Sequence, residues 1–253
     1  MNIFTHFSSS IRVLIVLTIC SLLPPCHVSA ATPEETLRPL LGIAYRPDGA
    51  QDAKGRYTLF ANQAKQFTSP GLNCSGFVVA AARLLLHKLY PLGEVARDRL
   101  GDSGPKAAGQ DWDFGWDAIL NISEGFERRF LLPASEGRNA DPAQCTGAHP
   151  LGFPLTAKET WAELEERLRP GYVYLLSFSR TTGKKAAPLQ HYHVGLLLRS
   201  ASGDLLLFQT TTQSGKSSCR NLSDPQELAR FRKAFADRPG REKKLLVLEV
   251  PLP

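Results

Sequence analysis

Two short stretches carry the residue types a thiol hydrolase needs. Cys74 lies in Asn73-Cys74-Ser75-Gly76-Phe77-Val78, where a turn at Pro70-Gly71 gives way to a long apolar run. A cysteine at a helix start faces partial positive charge and unpaired N–H groups, which favour the thiolate. Small Ser75 and Gly76 leave room for a substrate, and backbone N–H groups there can face an oxyanion. Far downstream, His191-Tyr192-His193-Val194-Gly195 reads as a strand carrying two imidazoles. Strict alternation puts His191 and His193 on one face, with Tyr192, Val194, Leu196 and Leu198 on the other. An imidazole within reach of Cys74 would activate the thiol and protonate the leaving amine. Either His191 or His193 could be that base on spacing alone. Gln209 ends the apolar strand Leu205-Leu206-Leu207-Phe208, and its amide oxygen can fix the histidine tautomer. Each residue also has a plainer reading: a buried cysteine, packed histidines, a water-facing glutamine. The histidine pair lacks a third ligand, so no metal or other cofactor is expected.

The elements that must position these residues follow from the apolar pattern. Ser75 to Tyr90 is apolar on nearly every face, with only Arg83, His87 and Lys88 polar, so this helix should be central. Short helices are expected at Pro33–Leu41 and Tyr57–Phe67. Thr156 and Glu159 match a capping box for a helix running to Leu168, stopped by Pro170-Gly171. Strands are expected at Tyr172–Phe178, His191–Leu198, Leu205–Thr210 and Leu245–Val250, the middle two forming a hairpin through Ser200–Asp204. Helices first and an antiparallel sheet later predict an α+β fold. Pro91 to Pro154 is rich in Gly, Pro and Asp and reads as an insertion, helical around Ile119–Phe130. Its Trp112, Phe114 and Trp116 form the insertion's own small core or, as the alternative, a wall of the cleft.

The first thirty residues have the layout of a secretory signal peptide. Arg12 precedes an apolar run from Val13 to Leu23, Pro24-Pro25 break it, and Val28-Ser29-Ala30 offers cleavage near Ala30. The run falls short of the about 20 apolar residues a span requires, so no stable membrane span is expected after cleavage. Residues 31–253 would then be a single domain interrupted at about 91–154. The whole chain carries a net charge of +6, a mild excess without the basic blocks and interleaved aromatics of a nucleic-acid binder. Of five cysteines, Cys20 and Cys26 would leave with the leader, so Cys145 and Cys219 are expected to pair and leave Cys74 free. A glycan on the Asn73 sequon would smother that thiol, which points to a bacterial periplasm or exterior.

Taken in order, Asn73-Cys74-Ser75-Gly76-Phe77-Val78, Pro170-Gly171-Tyr172-Val173-Tyr174-Leu175, His193-Val194-Gly195-Leu196 and Leu207-Phe208-Gln209 resemble the NlpC-type cell-wall cysteine peptidases of the papain-like superfamily. The match covers about residues 57–90 and 165–212. It implies Cys74 as nucleophile, His193 as base and Gln209 as the residue orienting that base. It also implies a cysteine-bearing helix packed on an antiparallel sheet. Asn73 stands where the family usually has Asp, Tyr172 where it has Asp, and Gln209 where it often has His. The implied protein is a monomeric, periplasmic or secreted hydrolase, a thiol protease cutting an amide bond in peptidoglycan stem peptides of the cell wall. Two alternatives stay open: the same site acting on a protein or other envelope substrate, and a non-catalytic envelope binding protein on the same fold.

Overall fold

The computed structural model describes residues 31–99, 101, 112–134, 152–184, 187–236 and 242–253. The expected signal peptide and Cys145, with its expected bridge to Cys219, lie outside the described residues. Residues Pro33–Pro253 make one compact unit. In chain order its elements are α1 (Pro33–Leu37) with a 3-10 turn (Arg38–Leu40), β1 (Gly49–Gln51), β2 (Tyr57–Leu59) and α2 (Cys74–Leu85). Then come α3 (Leu92–Val95), α4 (Phe114–Ile122), β3 (Arg129–Leu131), β4 (Phe153–Pro154) and α5 (Lys158–Arg167). The remainder is β5 (Tyr172–Lys184), β6 (Ala187–Arg199), β7 (Leu205–Thr210), β8 (Ser217–Asn221), α6 (Pro225–Ala234) and β9 (Lys243–Pro251).

The fold is α+β, built on an antiparallel sheet of order β3-β9-β5-β6-β7-β8, with β4 also paired to β9. Its central strands are apolar on both faces, and the alternation sorts their side chains into two cores. Val173, Leu175, Val194, Leu196, Phe208 and Leu248 meet α2 and α4 on one side. Tyr174, Leu176, Phe178, Leu197, Leu207 and Val247 meet Trp161 of α5 and Phe231 of α6 on the other. Helix α2 is wrapped as its sequence requires: Ser75 to Ala82 and Leu85 are all buried. It stops at Leu85 rather than Tyr90 because His87 turns into the left-handed region at φ 49°, which ends a helix.

Three local expectations are corrected. Tyr57–Phe67 is not a helix: Tyr57 pairs with Gln51 across the β1–β2 hairpin, and the Phe67 N–H donates back to the Tyr57 carbonyl. Asp52 closes that hairpin by accepting from the Lys54 and Arg56 N–H groups, so hairpin pairing takes the backbone bonds a helix would use. Thr156 is not a cap. Helix α5 opens after Ala157 with no side-chain cap, because Trp161 Nε1 is anchored on the Leu155 carbonyl and Thr160 Oγ1 on that of Pro154. The longer helix described in the 91–154 segment, α4, runs Phe114–Ile122 rather than around Ile119–Phe130.

Candidate active site

Cys74 is the first residue of α2, and its position is fixed from both sides. Asn73 caps the helix, its Oδ1 accepting from the Gly76 N–H at 2.7 Å, while its own N–H donates to the Gly49 carbonyl. An Asn at this position does the capping that an Asp would do. Gly76 has no room for a side chain: a Cβ there would overlap the Gly49 carbonyl oxygen and reach 2.9 Å from Ala50 Cα. Strand β1 therefore clamps the first turn of the helix. The N–H groups of Cys74 and Ser75 have no hydrogen-bond partner among the described residues, and they lie beside the thiol as helix-end donors do.

The sheet delivers the base through an interrupted ladder. Pairing between β6 and β7 runs from Arg199↔Leu205 only as far as Leu196↔Phe208. Beyond that point the edge of β6 is open to the helix tip, and there the Val194 N–H donates to the Cys74 sulfur. His193, one residue earlier, bonds to the same sulfur. Its Nε2 donates to Gln209 Oε1 at 2.8 Å, since an amide oxygen can only accept. That assignment leaves Nδ1 for Cys74. Gly195 keeps the strand pair close there: a Cβ would touch Gln209 Cβ at 3.6 Å and crowd the Phe208 carbonyl oxygen at 3.2 Å. The glycine lets the glutamine approach diagonally across the strand pair.

Cys74, His193 and Gln209, singled out from sequence, thus come together. His191 does not join them. Phe178 faces His193 and Ser179 faces His191, so the register slips by one residue at Tyr192 and β6 carries a β-bulge. The bulge breaks the alternation expected of the strand and sends the two imidazoles to opposite sides of the sheet. His193 packs on Phe178 and Phe235, ring centroids 4.8 and 6.1 Å away. His191 lies against Trp112 and Trp116 in the other core, its Nδ1 2.8 Å from Ser177 Oγ. Trp116 is fully buried among the residues packed on α2. Trp116 is therefore part of the main core, Trp112 and Phe114 are half-buried, and none of the three is among the described residues that line the cleft.

Electrostatics couple the two reacting groups. Burial pushes the Cys74 thiol up, but the hydrogen bond and charge of His193, the Val194 N–H and Ser75 outweigh it and bring the pKa down to about 7. Burial likewise depresses His193, yet the bonds to Cys74 and Gln209 and the thiolate charge leave it raised. Each group favours the charged form of the other, which is the signature of a thiolate–imidazolium pair.

The pair opens into a cleft of about 340 Å³. Sequence reasoning missed most of its wall: Tyr45, Arg180, Tyr192, Phe235 and the Thr210–Gln213 turn. Tyr45 touches the site electrostatically, its hydroxyl held protonated by burial and by the Cys74 charge. None of these residues sits in a motif; they are placed by the β5–β6 and β7–β8 pairings, the bridge of Tyr45 to Leu72 and the return of α6. Among the described residues no cluster of His, Cys, Asp or Glu fit to hold a metal occurs, and no helix is long and apolar enough to cross a membrane.

The chain matches no family model and no curated protein. Among solved structures it is similar to the crystal structure of a protein from Legionella pneumophila strain Philadelphia 1 that carries the family-model label DUF1460. The two share 15% identity with a TM-score of 0.47, over 88% of each chain.

Proposed function

We propose that this chain is an exported cysteine hydrolase with a papain-like, NlpC-type core, cleaving an amide bond. The observation that carries the reading is the relay Cys74–His193–Gln209, with the thiol drawn down to about 7 and the imidazole raised beside it. In the proposed reaction the Cys74 thiolate attacks the amide carbon. The oxyanion is met by the N–H groups of Cys74 and Ser75. His193 Nδ1 passes its proton to the departing nitrogen, the C–N bond breaks, and a thioester remains on Cys74. His193 then takes a proton from water, whose oxygen attacks the thioester to release the acid and restore the thiol. Gln209 holds the ring through both steps.

The motif resemblance favours a peptidoglycan stem peptide as substrate, with a periplasmic or secreted site of action. The test is mass spectrometry of purified sacculi and muropeptides incubated with wild-type protein or Cys74→Ala. Stem-peptide fragments from the wild type alone support the reading and fix the bond cut. Product formation by a folded Cys74→Ala variant would sink the mechanism.

A further inference from the structure

The cleft holding Cys74 and His193 is lopsided in charge. Among the described residues its lining includes Arg180 and Lys243 and no Asp or Glu. Arg180 projects from β5 and is pinned in place: Nε and Nη2 both donate to Gln190 Oε1, at 3.2 and 2.7 Å. Its guanidinium carbon lies 4.8 Å from the centre of the Tyr192 ring. Both partners are neutral, and among the described residues no carboxylate pairs with Arg180. A guanidinium held flat by a neutral amide and an aromatic face keeps its charge and one N–H edge for a ligand. Lys243 adds positive charge nearby while its Nζ donates to the Phe235 and Ala236 carbonyls.

We propose that the cleft selects amide substrates bearing a carboxylate close to the scissile bond, with Arg180 as the carboxylate ligand. This rests on the hydrolase reading of Cys74 and extends it to substrate class. A planar bidentate contact to a carboxylate would also orient the amide over the thiol. The same site would reject amides that place a cation there, since Arg180 and Lys243 would repel it.

A matched pair of thiol reagents tests the idea without a known substrate. Iodoacetate and iodoacetamide both transfer a carbon to the thiolate and release iodide, and they differ in carrying a carboxylate or a neutral amide. Rates at Cys74 are read by peptide mass spectrometry, which separates it from the exposed Cys219, and their ratio is normalised to free cysteine. The wild type is expected to favour iodoacetate over the free-thiol ratio on the order of fivefold. Arg180→Gln should lose that preference, Arg180→Lys should keep part of it, and Lys158→Gln, an exposed charge outside the cleft, should leave it unchanged. A wild-type ratio equal to free cysteine, or one unaltered by Arg180→Gln, overturns the carboxylate site while Cys74 reactivity stands. A folded protein whose Cys74 resists both reagents at neutral pH overturns the hydrolase reading and this inference together.

Discussion

Gln209 Oε1 accepts from His193 Nε2 at 2.8 Å, and Gln209 is 2% exposed. A neutral amide thus does the orienting, fixing the ring without adding negative charge. Replacement by Leu removes the acceptor and lets the ring rotate away from Cys74. We expect Gln209→Leu to lower kcat by about 10²-fold, the cost of a misplaced catalytic group. Gln209→His, which restores an acceptor, should recover most of it, while equal loss in both variants would deny Gln209 a positioning role.

The pH dependence follows from the two shifted groups. Cys74 is lowered to about 7, so the thiolate fills in as pH rises through about 7 rather than near the ordinary thiol value. Its lowered pKa adds stability at pH values above the unfolded thiol pKa, lost as pH falls through about 7. The raised pKa of His193 adds stability below the unfolded imidazole pKa, lost as pH rises through the folded value. In His193→Ala burial still opposes the thiolate and its main support is gone. Alkylation of Cys74 at pH 7 should then fall about 50-fold as the thiol returns toward its ordinary range. A titration followed by thiolate ultraviolet absorbance checks this; an unchanged midpoint would remove His193 from the pair.

His191 supplies the contrast. It sits 4% exposed against Trp116 and Ser177, on the face of β6 opposite His193. His191→Ala should cost about 1–3 kcal/mol by stranding a buried hydroxyl, read as a lower melting temperature. The thiolate midpoint should not move, and a shift comparable to that of His193→Ala would contradict the bulge.

Gly76→Ala probes the clamp at the helix tip. With the Gly49 carbonyl already in the space a Cβ needs, β1 or the first turn of α2 must give way. We expect a loss of about 3 kcal/mol or more in denaturant unfolding, an overpacking cost at the upper end. Near-wild-type stability would mean that β1 yields freely.

Much of this was legible in the chain. The apolar wrap read over residues 75–90 placed α2 at the centre, the histidine pair with its motif resemblance marked His193, and the polar end of an apolar strand marked Gln209. The β7 bounds agree with those read from alternation. What escaped was non-local. The bulge at Tyr192 costs one residue of register, and period-2 counting through it puts His191 on the wrong face. Tyr57–Phe67, closed by Ser69-Pro70-Gly71, reads as a helix, but the backbone bonds of Tyr57 and Phe67 go to β1 and to each other. Arg180 and Tyr45 line the cleft through different non-local pairings, Arg180 on β5 and Tyr45 by a bridge to Leu72 just before α2. The leader, the Cys145–Cys219 bridge and the monomeric state remain expectations of the sequence.

Gly115 of α4 packs so closely on β6 that a Cβ there would stand 3.1 Å from Val194 Cγ1 and 3.2 Å from the His191 carbonyl oxygen. Val194 is the residue whose N–H holds the Cys74 sulfur. Helix α4 is therefore a buttress, bearing on the strand at the point where reactivity is set. Trimming the chain toward a minimal core would remove that support, so a shortened form would lose the poise of its thiol along with its bulk.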